Sequence, residues 1–306
     1  MPATLLPQSR GGGLDAEQNG LMEAGTHQAR EQAWEQAGAL EAKQRRAALR
    51  EAVARGDPSA VLALLGPGTL PGDALQLIGD GLSTALGMQV AGAAELAGRC
   101  AGALRARRWR GDLDLADQLD GQLPGGAAPS PVLRPLPVSL EELACAREGN
   151  PRNGAGRLDL RTAQVWTAEA ITHACEPGQR EPAQREPSQR EPDGDDGQRW
   201  LWIDNADSRP GYHDMQEFID TVTDPDRAHL LGRALVGRGA FRRFKDVLAR
   251  WPQEFQRWHA FTDERRRGRA RAWLAAAGYT VAPTHAPVPA DPSPTPGRAP
   301  PAGSPG

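Results

Sequence analysis

With 306 residues, 35 Gly, 27 Pro and 39% hydrophobic content, the chain is long enough for two small domains but leaves much of its length outside any core. A formal net charge of −3 excludes both a basic nucleic-acid coat and an acidic tail protein. Three widely spaced cysteines, Cys100, Cys145 and Cys175, exclude a disulfide framework or a CxxC metal knuckle and fit a reducing compartment. No run approaches the roughly 18 apolar residues of a membrane span, so the expected location is cytoplasmic and away from membranes.

Residues 1–25 mix Gly, Pro, Gln and Ser without apolar periodicity, a composition that predicts disorder. From His27 to Arg55 strong helix formers dominate, and Gly56-Asp57-Pro58 is a stop signal. Further helices are expected over 58–65, 73–86, 88–108 and 112–119, each with an apolar face, which makes 26–122 a small helical bundle. Residues 123–137 read as a linker, and a second domain is expected over 138–282. Its first helix opens on Ser139-Leu140-Glu141-Glu142, a capping box. Alternation in Arg157–Leu160 and Gln164–Trp166 predicts a β-hairpin.

The unit Gln-Arg-Glu-Pro recurs at Gln179, Gln184 and Gln189; a proline every five residues forbids a regular helix, so 176–198 is an exposed low-complexity insertion. Trp200–Ile203 reads as a buried strand. Met215, Phe218, Ile219 and Val222 then fall at helical spacing, and Asp224-Pro225 caps the following helix. Gly237-Arg238-Gly239 breaks the chain before a helix from Ala240, and Trp251-Pro252 starts a last long helix that ends at Gly278. The tail 283–306 is Pro-rich and expected to be disordered. The fold class is α+β, mostly helical: a bundle, then a short hairpin or sheet packed by three to four helices.

Of 15 aromatics, 12 lie between Trp200 and Tyr279, and Trp202, Phe218, Phe241, Phe244, Trp258 and Trp273 are the expected core anchors. Charge is polarised along the same region. Residues 193–226 hold 10 acidic side chains against 2 Arg, a net −8; residues 227–271 hold 12 Arg and 1 Lys against 4 acids, a net +9.

The pieces Trp202-Ile203, Tyr212-His213-Asp214-Met215 with Phe218-Ile219, Gly237 through Leu248, Trp258, Phe261 and Ala272-Trp273-Leu274 resemble, in order and spacing, a bacterial family catalogued as uncharacterised protein family 0158. Ser139–Leu143 and Gly156–Leu160 are similar to its opening helix and hairpin, so the resemblance covers about 138–282. The insertion and both tails depart from the pattern. The family carries no established activity, and the resemblance implies architecture without mechanism.

For chemistry, the Gly237–Leu248 segment stands out. Two glycines before a helix start, with Arg238, Arg242, Arg243 and Lys245 around it, are a candidate anion or nucleic-acid contact, with Phe241 and Phe244 turned to the core. The competing reading pairs these cations with the acidic 193–226 segment. Asp204, His213 and Asp214 cluster locally and would suit a metal-dependent hydrolase, against a plain capping role at a helix start. His173-Ala174-Cys175 lacks a second pair of ligands. No catalytic residue, metal or cofactor is assigned. The expected function is a non-enzymatic binding or interaction module, its partner a protein or RNA, with RNA association through the basic 227–271 helices as the sharper alternative.

Overall fold

The computed structural model describes residues 37–66, 68, 70–126, 131–148, 155–175, 199–204 and 209–282. Both tails and the Gln-Arg-Glu-Pro insertion lie outside the described residues, as do the side chains of His173 and Cys175.

Local chemistry accounts for most helix starts. After α1 (37–54), Asp57 accepts a hydrogen bond from the Ala60 N–H and Pro58 occupies the first turn of α2 (Pro58–Leu65). The α3 helix (Leu75–Gly87) has no side-chain cap of its own. Next, α4 (Ala93–Arg107) begins five residues later than its composition suggests, because Gln89 and Gly92 both take positive φ. The bundle closes with α5 (Asp112–Gln122). Its core is built of aliphatic and small residues, among them Leu77, Ile78, Leu82, Leu104, Leu115 and Leu119.

The segment expected to be a linker contains a strand, β1 (Arg134–Leu136), which pairs in parallel with β5 (Tyr279–Val281) at the far end of the chain. Only long-range pairing makes these three residues a strand. In α6 (Leu140–Arg147) the Ser139 hydroxyl accepts from the Glu142 N–H. The hairpin forms as β2 (Gly156–Asp159) and β3 (Val165–Trp166), and β4 (Trp200–Ile203) joins on the other side of β2, giving the antiparallel order β3-β2-β4. A short α7 (Ala168–Cys175) intervenes before the insertion. Beyond it come α8 (Arg209–Asp220), α9 (Pro225–Ala234), α10 (Ala240–Leu248) and α11 (Pro252–Ala276). The result is an α+β, mostly helical fold.

The 25 residues of α11, about 37 Å of helix, contribute to two hydrophobic cores and lie against the bundle. Trp258 and Phe261 join Phe218 and Phe244 in an edge-to-face aromatic cluster with centroids 4.9–6.4 Å apart. Ala270 and Leu274 pack with α6, β2 and β4. Against the bundle α11 presents polar groups. The buried Glu264 carboxylate accepts the Gln76 N–H at 2.7 Å and the Leu77 N–H at 3.3 Å, and so caps α3 from another part of the chain. Arg107 bridges Glu264 and Asp112, and Arg271 donates to Gln76 and Gln118 and pairs with Asp80. Burial pushes the Glu264 carboxyl up, against the pull of Arg107 and the Gln76 N–H.

Two glycines make this approach possible. A Cβ on Gly268 would fall on the Arg110 carbonyl oxygen, and one on Gly111, itself at φ +87°, on the Gly268 carbonyl. Gly268→Ala is expected to cost about 3 kcal/mol and to lower Tm by roughly 10 °C in a thermal melt, because backbone cannot rotate away as a side chain can. On the sheet, burial disfavours the Asp159 carboxylate, but Arg199 and the Arg161 N–H hold its pKa below the ordinary range. A depressed folded-state pKa contributes stability above the unfolded value of about 3.9 and loses it as pH falls towards the folded value. Acid titration of stability should therefore be shallower for Asp159→Asn than for the parent below about pH 4.

Candidate functional site

The Gly-Arg-Gly break turns the chain sharply: Gly237 and Gly239 adopt φ of +83° and +76°, and Gly239 precedes the first turn of α10. From there Ala240, Phe244 and Leu248, four residues apart, face the core. The cations divide. Arg243 turns back over the loop and donates to the carbonyls of Ala234, Val236, Gly237 and Arg238, closing the end of α9. It is spent on structure. Arg242 is 90% exposed at its side chain, with Asp246 at 3.8 Å as a loose neighbour. Arg238 and Lys245 are exposed and form no ion pair with described residues.

The expected anchors divide as well. Phe218, Phe244 and Trp258 are buried, and Trp273 is half-buried against the sheet core beneath the Arg147 guanidinium. Trp202 and Phe241, by contrast, are 55% and 41% exposed. Side chains alternate across a strand, so in β4 Ile203 is buried and Trp202 is exposed, where the paired Arg157 lies 4.3 Å over its ring. Phe241 sits one residue round the helix from the Ala240–Phe244 face. Its ring rests on Gly211 of α8, where an added Cβ would come within 3.1 Å of it. Tyr212, the next residue, is also exposed.

The acidic cluster is differently occupied. Asp214 is 2% exposed, and its oxygens accept from Arg265 at 3.0 Å and Arg269 at 2.9 Å. His213 pairs with Glu217 at 3.0 Å, and Asp204 is exposed. Among the described residues no group of three or more His, Cys, Asp or Glu side chains is placed to hold a metal ion.

Most arginines of α11 are likewise committed. Arg257 pairs with Glu254, Arg265 with Asp214 and Glu217, Arg266 with Glu148, Arg267 with Asp80 and Glu141, and Arg269 with Asp214 and Glu148. Several of these partners come from the first half of the chain, which a balance drawn between 193–226 and 227–271 overlooks. Sequence reasoning also missed Arg110 and Arg209, which line a cleft with His213, Arg265 and Arg269. In a chain with two lysines among 36 cations, a single arginine carries no signal. If Arg243 is structural and Arg242 is not, Arg243→Ala should lower unfolding free energy by about 1 kcal/mol and Arg242→Ala by less than about 0.5 kcal/mol in urea titrations.

Residues 190–288 match the model of an uncharacterised protein family, UPF0158. That span takes in β4, α8–α11 and β5, and does not extend to α6 or the hairpin. A UPF0158 protein of Pseudomonas aeruginosa is 34% identical over 77 residues, 25% of this chain and 50% of the relative. The chain thus spans about half the length of the curated relative it matches. No solved structure matches it. No helix among the described residues is long and apolar enough to cross a membrane. Residues 190–288 are thus similar to the uncharacterised protein family UPF0158.

Proposed function

We propose that this protein is a non-enzymatic binding module and that its partner is single-stranded nucleic acid, RNA foremost, held on the outer face of α10 and the adjoining start of α8. The observation that carries the reading is Phe241, an aromatic ring 41% exposed that rests on Gly211, next to the exposed Tyr212, on a helix whose Arg242 has only the loose neighbour Asp246 and whose Lys245 forms no ion pair among the described residues. Single strands are bound where rings offer a stacking surface and cations follow the backbone. Arg238, in the loop before α10, and Arg242 and Lys245, exposed on it, supply the charge, and Arg209 lies at the start of the neighbouring helix.

The basic α11 plays a different part in this reading: its arginines hold the fold together, so the contact is narrower than the whole 227–271 segment. Hydrolysis on Asp204, His213 and Asp214 is not proposed, because Asp214 is enclosed by two guanidinium groups and His213 is engaged by Glu217.

With four cations on phosphates, the affinity for an oligoribonucleotide should fall with salt at a log–log slope of about −3. Replacing Phe241 by Ala should weaken binding about tenfold with the fold retained by circular dichroism. A flat salt dependence, or a Phe241→Ala protein that binds as tightly as the parent, would sink the reading.

A further inference from the structure

Among the described residues the two small sheets present four edges, and three of them are closed or blunted. In β1, Arg134 and Leu136 bond towards β5, so the residue on the outer side is Pro135, which has no N–H to offer a further strand. On β5 the Val281 carbonyl, which faces away from β1, accepts from the Gln118 side chain at 2.8 Å. The outer strand β3 runs for only two residues. That leaves β4.

The ladder shows which backbone groups of β4 are open. The Leu160 N–H donates to the Arg199 carbonyl at 2.8 Å and the Asp159 N–H to the Gln164 carbonyl at 3.0 Å, so even-numbered residues of β2 bond β4 and odd-numbered ones bond β3. With Leu158 opposite Leu201, residues 201 and 203 turn their N–H and C=O to β2, and Trp200 and Trp202 turn theirs to the free side. Among the described residues these outward groups have no hydrogen-bond partner. Strand edges are ordinarily blunted by lysine, proline or a bulge, and Trp-Leu-Trp-Ile, in unbroken register with β2, has none of these. Trp202 is also 55% exposed.

We propose that this edge is a homodimer seam, in which β4 of one copy pairs antiparallel with β4 of a second copy about a two-fold axis at Leu201. In that register the strand is its own complement. The outward N–H and C=O of Trp200 meet the C=O and N–H of Trp202 in the second copy, and the axis repeats the exchange. Each Trp200 then stands opposite a Trp202, an aromatic cross-strand pair, and the joined sheet, with three strands from each copy, is of ordinary size. An unrelated extended segment satisfies the backbone without setting an indole opposite each indole. Pairing consumes the edge, so assembly stops at two copies. The seam contains no residue of α10 and does not rest on the nucleic-acid reading.

Sedimentation equilibrium of the full chain, joined to amide hydrogen exchange, tests the seam. Expected is a reversible monomer–dimer equilibrium in which the Trp200 and Trp202 amides exchange more slowly as protein concentration rises, while the Leu201 and Ile203 amides, bonded to β2, stay protected throughout. Trp202→Lys should raise the dimer dissociation constant by roughly tenfold or more with the circular dichroism retained. Trp202→Pro, which removes an outward N–H and spares the ladder to β2, should act in the same way. Val236→Lys, the same change at a residue 77% exposed in the α9–α10 loop, should leave the dimer intact. A chain that stays monomeric, assembly beyond two copies, a dimer that survives both Trp202 variants or is lost equally in Val236→Lys, or a monomer whose Trp200 and Trp202 amides are already protected would overturn the proposal.

Discussion

The crossing of α11 over the α4–α5 turn is the constraint on which the remaining geometry depends. At Gly111 and Gly268 two backbones meet with no space for a Cβ on either. That approach lets Glu264 reach the bare N-terminus of α3 and Arg107 reach Glu264. A buried ion pair is weak evidence for stability by itself, since desolvation offsets the attraction, but removing one member strands the other at a cost of about 3–5 kcal/mol. Here the carboxylate also satisfies two backbone N–H groups. The network therefore fixes where the bundle sits against α11 as well as contributing to stability.

The same crossing places the cleft. Arg110 belongs to the turn that touches Gly268, and Arg269 is the next residue of α11. Asp214, from α8, is clamped by Arg265 and Arg269, so the start of α8 comes to the other wall. Phe241 resting on Gly211 then holds α10 beside α8. Fold-defining contacts and the exposed basic surface thus meet at the same elements. Those arginines of α11 that are half-buried and paired belong to the first; the exposed cations of α10 and the turn belong to the second.

Much of the α+β, mostly helical architecture was legible in the sequence because its signals are local. Asp224-Pro225, Ser139 with Glu142, and Gly278 mark helix ends by chemistry within a few residues, and the hairpin alternates as a half-buried strand pair must. The candidate sites were less legible. Arg243 and Arg242 are neighbours of the same type, yet one closes a loop while the other faces solvent. Phe241 and Phe244 are both aromatic on one short helix, and a 100° step per residue puts only Phe244 inside. Trp202 fits a buried run as well as an alternating one until the sheet shows Ile203 buried and Trp202 exposed.

Sequence by itself determined the helical punctuation, the aromatic concentration after Trp200 and the order of pieces that resembles UPF0158. Each of these is carried by residues close together in the chain. Tertiary structure alone decided that 134–136 is a strand, that α3 is capped from 188 residues away and that α11 spends its arginines on both halves. The physical reason is that charge and backbone hydrogen-bonding capacity are unassigned until a partner arrives. An arginine, an open N-terminus or an extended tripeptide carries the same local signature whichever partner it meets, and packing around Gly111 and Gly268 makes the choice.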